Sequence, residues 1–152
     1  MAKEIERKFL VKNLLFKEMS VREIRIKQGY LFDSPKGVVR VRIKQDTAFL
    51  TIKSANKGFV RDEWEYKIPV SDAEEMLRLS YPKVIEKERY IVPFMDQTWE
   101  VDVFGGKLEG LILAEVELPS ADTDFELPPF IGEEVSDNPA YYNSSLAASR
   151  DD

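Results

Sequence analysis

Like charges recur at every second residue along this chain of 152 residues, and that pattern constrains the fold more than any other feature. Glu4, Glu6 and Lys8 share one face of an alternating run whose other face carries Ile5 and Phe9. Arg25 and Lys27 oppose Ile24 and Ile26, and Arg40, Arg42 and Lys44 oppose Val39, Val41 and Ile43. Glu63 and Glu65 oppose Trp64 and Tyr66. Lys87 pairs by spacing with Arg89, Glu100 with Asp102, and Glu115 with Glu117; Val101, Val103 and Val116 fill opposite faces. A period of two is the period of a strand. An antiparallel sheet with one wet face alternates in this way, and acidic strands can offset basic ones as salt-bridge ladders. A merely solvated face, however, mixes hydroxyls, amides and both signs of charge, because like charges side by side repel. Same-sign pairs on strand after strand cost stability unless something of opposite charge lies between them.

The alternation predicts strands at roughly 3–11, 22–31, 38–45, 48–54, 60–69, 84–92, 98–104 and 111–118. Turn signals separate them, among them Asp33-Ser34-Pro35-Lys36-Gly37, Ala55-Asn56-Lys57-Gly58 and Phe104-Gly105-Gly106. Ser71-Asp72-Ala73-Glu74 reads as a capping box opening a short helix that ends near Leu79. Residues 13–20 suggest a helical turn, and Asn138-Pro139 followed by Tyr142, Leu146 and Ala147 suggests a C-terminal helix. No linker, repeat or low-complexity tract divides the sequence, so one domain over 1–152 is expected. Eight mostly antiparallel strands in this length form a barrel or a sandwich. A closed barrel with charges inside needs a hydrated lumen, and its apolar faces must then be covered from outside by helices or a partner.

The missing residue types narrow the chemistry. With no cysteine there is no disulfide, zinc thiolate or cysteine nucleophile, and with no histidine there is no imidazole base or ligand. The net charge of −6 argues against nucleic-acid coating, yet residues 1–94 hold 20 basic against 14 acidic side chains. Residues 95–152 hold 2 basic against 14 acidic ones. There is no apolar run able to span a bilayer, and the start Met-Ala-Lys-Glu-Ile-Glu lacks a signal-type apolar region, which predicts a cytoplasmic protein. Carboxylates without His or Cys suit hard cations such as Mg²⁺ or Mn²⁺. Arg and Lys clusters suit phosphate oxygens. Both on one polar lining point to a metal–polyphosphate complex, gripped by side chains because no Gly-rich phosphate loop occurs.

Glu4-Ile5-Glu6-Arg7-Lys8 matches an E-x-E-x-K signature, and Val39-Arg40-Val41-Arg42-Ile43-Lys44 follows a Gly-containing turn. Thr51-Ile52-Lys53, Glu86-Lys87-Glu88-Arg89-Tyr90, Glu100-Val101-Asp102-Val103-Phe104 and Ala114-Glu115-Val116-Glu117-Leu118 come next in order. In this combination, over about 3–148, the chain resembles the CYTH superfamily, the triphosphate tunnel metalloenzymes, and within it the short bacterial inorganic triphosphatases. The resemblance implies a mainly β (α+β) fold: an eight-stranded antiparallel closed barrel with short flanking helices and a C-terminal plug helix. By the same likeness Glu4, Glu6, Asp102, Glu115 and Glu117 stand as metal ligands, while Glu63 and Glu65 hold a second metal or orient basic residues. Arg40, Arg42, Lys53, Lys87 and Arg89 stand as the phosphate-binding set, with Lys8 near the reacting phosphate and Arg25 and Lys27 as further lining candidates. Relatives often carry Lys where Ser144 stands in the plug helix.

The expected reaction is Mg²⁺- or Mn²⁺-dependent hydrolysis of tripolyphosphate to pyrophosphate and phosphate. The attacking water is positioned by metal, with Lys8, Lys87 or Glu63 assisting. The partner is a small-molecule triphosphate, not nucleic acid or membrane, and the chain is a monomer or a homodimer. Three rival readings remain: a class IV adenylyl cyclase, which needs a base pocket; a thiamine or nucleoside triphosphatase, for which Trp64, Trp99 and the tyrosines could supply an aromatic clamp; and a non-catalytic polyphosphate-binding module.

Overall fold

The alternating runs fold as strands in the computed structural model, which describes residues 2–80, 84–141 and 146. They are β1 (Ala2–Val11), β2 (Arg22–Ser34), β3 (Gly37–Lys44), β4 (Thr47–Ser54) and β5 (Val60–Ile68). Then follow β6 (Ile85–Phe94), β7 (Gln97–Phe104), β8 (Ile112–Glu117) and β9 (Ile131–Glu134). Two α-helices, α1 (Leu15–Met19) and α2 (Val70–Leu77), lie between β1 and β2 and between β5 and β6. The hydrogen-bonded order β5-β4-β3-β2-β6-β7-β8-β1 closes on itself, because β1 also pairs with β5 through Glu4 opposite Arg61 and its neighbours. The result is a closed eight-stranded antiparallel barrel, with β9 added on β1 beyond the point where β5 leaves it.

Closure divides every strand into an inner and an outer face. The outer apolar faces are covered by the chain itself. Val41, Ile43 and Ala48 pack beneath Ala73 and Leu77 of α2. Phe9, Val92, Trp99, Val101, Ala114 and Val116 form a second outer core with Phe16 of α1 and with Phe130. Phe16 sits edge-on to Tyr90 and Phe130, with ring centroids 5.3 and 5.9 Å away. One end of the lumen is itself apolar: Tyr30, Val38, Ile85, Phe104 and Leu113 meet there with Val135 and Leu146. The bore therefore ends in a greasy stopper at one end and keeps its charges for the rest of its length.

Three local expectations are revised. β2 runs to Ser34 rather than stopping near 31, because its hairpin with β3 stays paired as far as Ser34 opposite Gly37. Gly37 is required there: its φ is +153°, and a Cβ would lie 2.3 Å from the Lys53 carbonyl oxygen. The Ser71–Glu74 box does not open α2; Pro69, extended at φ −62° and ψ 141°, takes the N-cap position without a side-chain cap. The Pro69 carbonyl instead accepts the first helical bond from the Ala73 N–H at 3.1 Å. β9 lies in an acidic stretch with no alternation to announce it. At the C-terminus, residues Pro139–Tyr141 form a 3-10 turn. The expected plug helix from Tyr142 onward, including Ser144, lies outside the described residues except for Leu146, which is helical.

Candidate active site

Register decides which charges meet, because partners across an antiparallel pair share a face. On the inner face Glu6 lies opposite Glu117 and Lys8 opposite Glu115. Arg42 lies opposite Gln28 and Phe49, Lys53 opposite Glu63, and Arg89 opposite Asp102. These faces enclose a cavity of about 210 Å³ whose walls are almost wholly charged. Lys8, Arg40, Arg42, Lys53 and Arg89 form most of its basic surface, with Lys44 and Arg61 beside them. Glu4, Glu6, Glu63, Glu65, Glu115 and Glu117 supply its acidic surface.

The two signs are interleaved rather than segregated. Lys53 Nζ donates to Glu4 at 2.7 Å and lies 3.4 Å from Glu63. Arg61 Nε reaches the other Glu4 oxygen at 3.0 Å. Lys8 Nζ sits 3.3 Å from Glu115 and donates to the Tyr141 carbonyl at 2.9 Å, so the C-terminal turn helps aim it. Glu65 accepts from Thr51 Oγ1 at 2.8 Å and stands 3.7 Å from Arg40. Arg89 spans Asp102, Glu100 at 3.2 Å and Glu115 at 3.5 Å. Among the described residues Arg42 has only a neutral partner, Gln28, whose Oε1 accepts from Nε at 2.8 Å.

Burial and neighbours move the ionisations apart. Burial works to raise the Glu4 carboxyl, but Lys53 and Arg61 overcome it and bring the pKa down to about 2. Glu6 goes the other way: burial, then the Glu115 and Glu4 carboxylates, push it well above the usual range. Glu117, facing Glu4, Glu63 and Glu100, is likewise raised by burial and by those charges. Burial also lowers Lys53, with Arg40 adding to the effect, and brings Arg42 to about 9 with Arg40 and Arg89 beside it. The lining thus carries two local excesses: crowded carboxylates around Glu6 and Glu117, and crowded guanidiniums around Arg42. Each excess is what a ligand of opposite sign would relieve.

The carboxylate excess fits a hard divalent cation in oxygen-only chemistry. Among the described residues no three carboxylates converge into a ready cage. That agrees with a small cation held by one or two carboxylates and completed by substrate phosphates, as Mg²⁺ is commonly bound. Glu6 and Glu117, on facing strands, with Glu4 and Glu115 beside them, are the donors in position.

A CYTH domain signature matches residues 2–148. The chain belongs to the CYTH domain family. It is 45% identical over 147 residues to the inorganic triphosphatase of Acetivibrio thermocellus, covering 96% of this chain and 94% of that one. It is 38% identical over 151 residues to the inorganic triphosphatase of Nitrosomonas europaea, covering 96% and 97%. A crystal structure of the inorganic triphosphatase NE1496 superposes with a TM-score of 0.70 at 36% identity, covering 97% of this chain and 95% of that one. A Pyrococcus furiosus protein at 22% identity and a TM-score of 0.60 shares the fold alone. No helix among the described residues is long and apolar enough to cross a membrane.

Within this CYTH barrel, four of the expected site residues sit elsewhere. Arg25 and Lys27 are on the outer wall: Arg25 lies 3.2 Å from Glu88, and Lys27 lies opposite Glu86. The inward side chains of β2 are instead Ile24, Ile26, Gln28 and Tyr30, each opposite an inward charge or the apolar stopper. Asp102 faces inward but lies behind the lining, taken up by Arg89 at 2.8 and 2.9 Å and Lys87 at 2.6 Å. Both its oxygens are engaged by cations, and it is 1% exposed. Lys87 is sealed beside it, 5.2 Å above the Phe104 ring, and does not line the cavity.

Other lining residues extend the predicted faces. Lys44 and Glu100 lie on charged faces that the alternation marks, and Arg61 extends the Glu63/Glu65 face by one step of two residues. Asn56, Phe59 and Ser136 also line the cavity and come from turns or loops, where no periodicity applies. Trp64 and Trp99 face outward, Trp99 fully buried in the outer core, so neither supplies an aromatic clamp to the bore.

Proposed function

We propose that this protein hydrolyses inorganic tripolyphosphate to pyrophosphate and phosphate, with Mg²⁺ or Mn²⁺, inside the charged bore. The observation that carries this reading is the convergence of Lys8, Arg40, Arg42, Lys53 and Arg89 on one small cavity whose facing wall is crowded with carboxylates. The two curated relatives named as inorganic triphosphatases support it. A compact polyanion engages these cations at once, whereas a nucleotide brings an apolar end to a lining whose single aromatic ring among the described residues is Phe59. Phosphoanhydride cleavage needs charge neutralisation and in-line attack rather than covalent catalysis. Arg40, Arg42 and Arg89 neutralise the equatorial oxygens, and Lys8, aimed by Glu115 and the Tyr141 carbonyl, stands at the reacting end. Glu4 and Glu63 hold Lys53 in the bore. Glu6 and Glu117, opposite each other on β1 and β8, would hold the cation, which would supply Lewis-acid charge neutralisation. Lys87 acts here through Asp102 rather than on substrate. Phosphate release from tripolyphosphate, measured with Mg²⁺, with Mn²⁺ and with excess chelator, tests the reading. Metal-dependent release supports it, and equal release under chelation contradicts it.

A further inference from the structure

The other inward arginines spend their charge on carboxylates: Arg89 on Asp102 and Glu100, Arg61 on Glu4, and Arg40 across 3.7 Å on Glu65. Arg42 differs. Among the described residues it has no ion pair, and its one side-chain partner is the amide of Gln28 at 2.8 Å. Gln28 projects from the inner face of β2 directly opposite Arg42 and is 0% exposed. Among the described residues its Nε2 has no hydrogen-bond partner, and Nε of the neighbouring Arg40 has none either. An amide oxygen accepting from Nε holds the guanidinium through a neutral hydrogen bond, weaker than a carboxylate's, and leaves the positive charge unspent. Burial, with Arg40 and Arg89 alongside, already disfavours the charged form of Arg42. A carboxylate at position 28 would relieve that crowding and quiet the site. A neutral amide holds the side chain still and keeps the potential for a ligand.

Resting on the triphosphatase reading, we propose that Gln28 is a positioning residue: it fixes the Arg42 guanidinium through a neutral acceptor, so that both terminal nitrogens and the full charge remain for a phosphate of the substrate. Its effect on substrate is exerted through Arg42. The sequence carries no sign of it, since Gln28 interrupts the apolar parity of β2 with a single uncharged residue.

The test compares wild type, Gln28→Glu and Gln28→Leu by calorimetric binding of tripolyphosphate to metal-free protein, by thermal melting, and by kcat and KM with Mg²⁺. Gln28→Glu is expected to melt at or above the wild-type temperature while binding tripolyphosphate at least about tenfold more weakly, with KM raised in step. Gln28→Leu is expected to bind more weakly with a lowered melting temperature, because the guanidinium loses its acceptor. A purely structural role gives the opposite split, a destabilised Gln28→Glu whose folded fraction binds as wild type does. Gln28→Glu affinity within about twofold of wild type overturns the proposal. Wild type that binds tripolyphosphate without cleaving it contradicts the triphosphatase reading, and the affinity ratio then still decides Gln28. Wild type that does not bind it overturns both.

Discussion

Arg89 and Asp102 face each other across β6 and β7 in a two-point ion pair, Nε at 2.8 Å and Nη2 at 2.9 Å from the two carboxylate oxygens. Lys87 reaches the same carboxylate at 2.6 Å from beneath. One buried acid therefore anchors two buried bases, and only Arg89 is presented to the bore. Removing one member of such a group leaves uncompensated buried charge, which costs more than the pair itself is worth. Asp102→Asn should lower stability by about 3–5 kcal/mol in chemical denaturation. The Mg²⁺ concentration for half-maximal activity should stay near wild type in the folded protein. A large rise in that concentration without loss of stability would return Asp102 to the metal.

The same burial makes the fold sensitive to acid. Asp102 and Glu4 both ionise at about 2 when folded, against 3.8 and 4.5 for the free groups, because neighbouring cations overcome the cost of burial. Below the free values the unfolded chain takes up protons first, so falling pH favours unfolding. This part of the stability is complete above about pH 4.5 and is lost as pH falls toward 2. Melting temperature followed from pH 7 to pH 3 should drop most steeply below 4.5. The drop should be shallower in Asp102→Asn, and an unchanged slope in that variant would refute the assignment.

Carboxylates at the crowded wall carry the metal assignment. Glu6→Gln with Glu117→Gln should raise the Mg²⁺ requirement at least about tenfold, with near-native secondary structure, since it relieves repulsion rather than breaking a paired ion. Circular dichroism and a Mg²⁺ titration of activity check both halves. Wild-type turnover at limiting Mg²⁺ would show that the cation is held elsewhere.

The tryptophans offer a separate check on selectivity. Trp64 lies on the outer wall beside Ile52. Trp64→Ala should leave the ratio of kcat/KM for tripolyphosphate over thiamine triphosphate within about twofold of wild type. A collapse of thiamine triphosphate turnover alone would place an aromatic clamp where the barrel shows none.

Much of the site was legible because charge alternation on a closed barrel reports faces directly: the inward set on β1, β3, β5 and β8 follows from parity alone. On β2 the same rule failed. Arg25 and Lys27 alternate like the lining residues, but they lie on the outer face, where Arg25 pairs with Glu88 and Lys27 lies opposite Glu86 on β6. Parity names a face and cannot say which face is inside when both carry complementary neighbours. Nor does it report depth along the barrel axis. Lys87 and Arg89 share a face two residues apart, yet one is walled in beside Phe104 and the other lines the cavity. β9 and the loop residues Asn56, Phe59 and Ser136 depend on long-range packing against β1 and β5, which local sequence does not encode. Gln28 was invisible for a related reason, since its importance lies in the charge it lacks.

The most direct test of the account is the kcat/KM for tripolyphosphate set beside those for ATP and pyrophosphate, in one assay with saturating Mg²⁺ and with products separated by chromatography. A bore built of convergent cations should favour tripolyphosphate over ATP by at least about tenfold, or roughly 1.4 kcal/mol of transition-state stabilisation. Pyrophosphate, too short to span the cations and the carboxylate wall together, should turn over poorly, and the products of tripolyphosphate should be pyrophosphate and phosphate. ATP preferred over tripolyphosphate, with a cyclic nucleotide as product, would contradict the account.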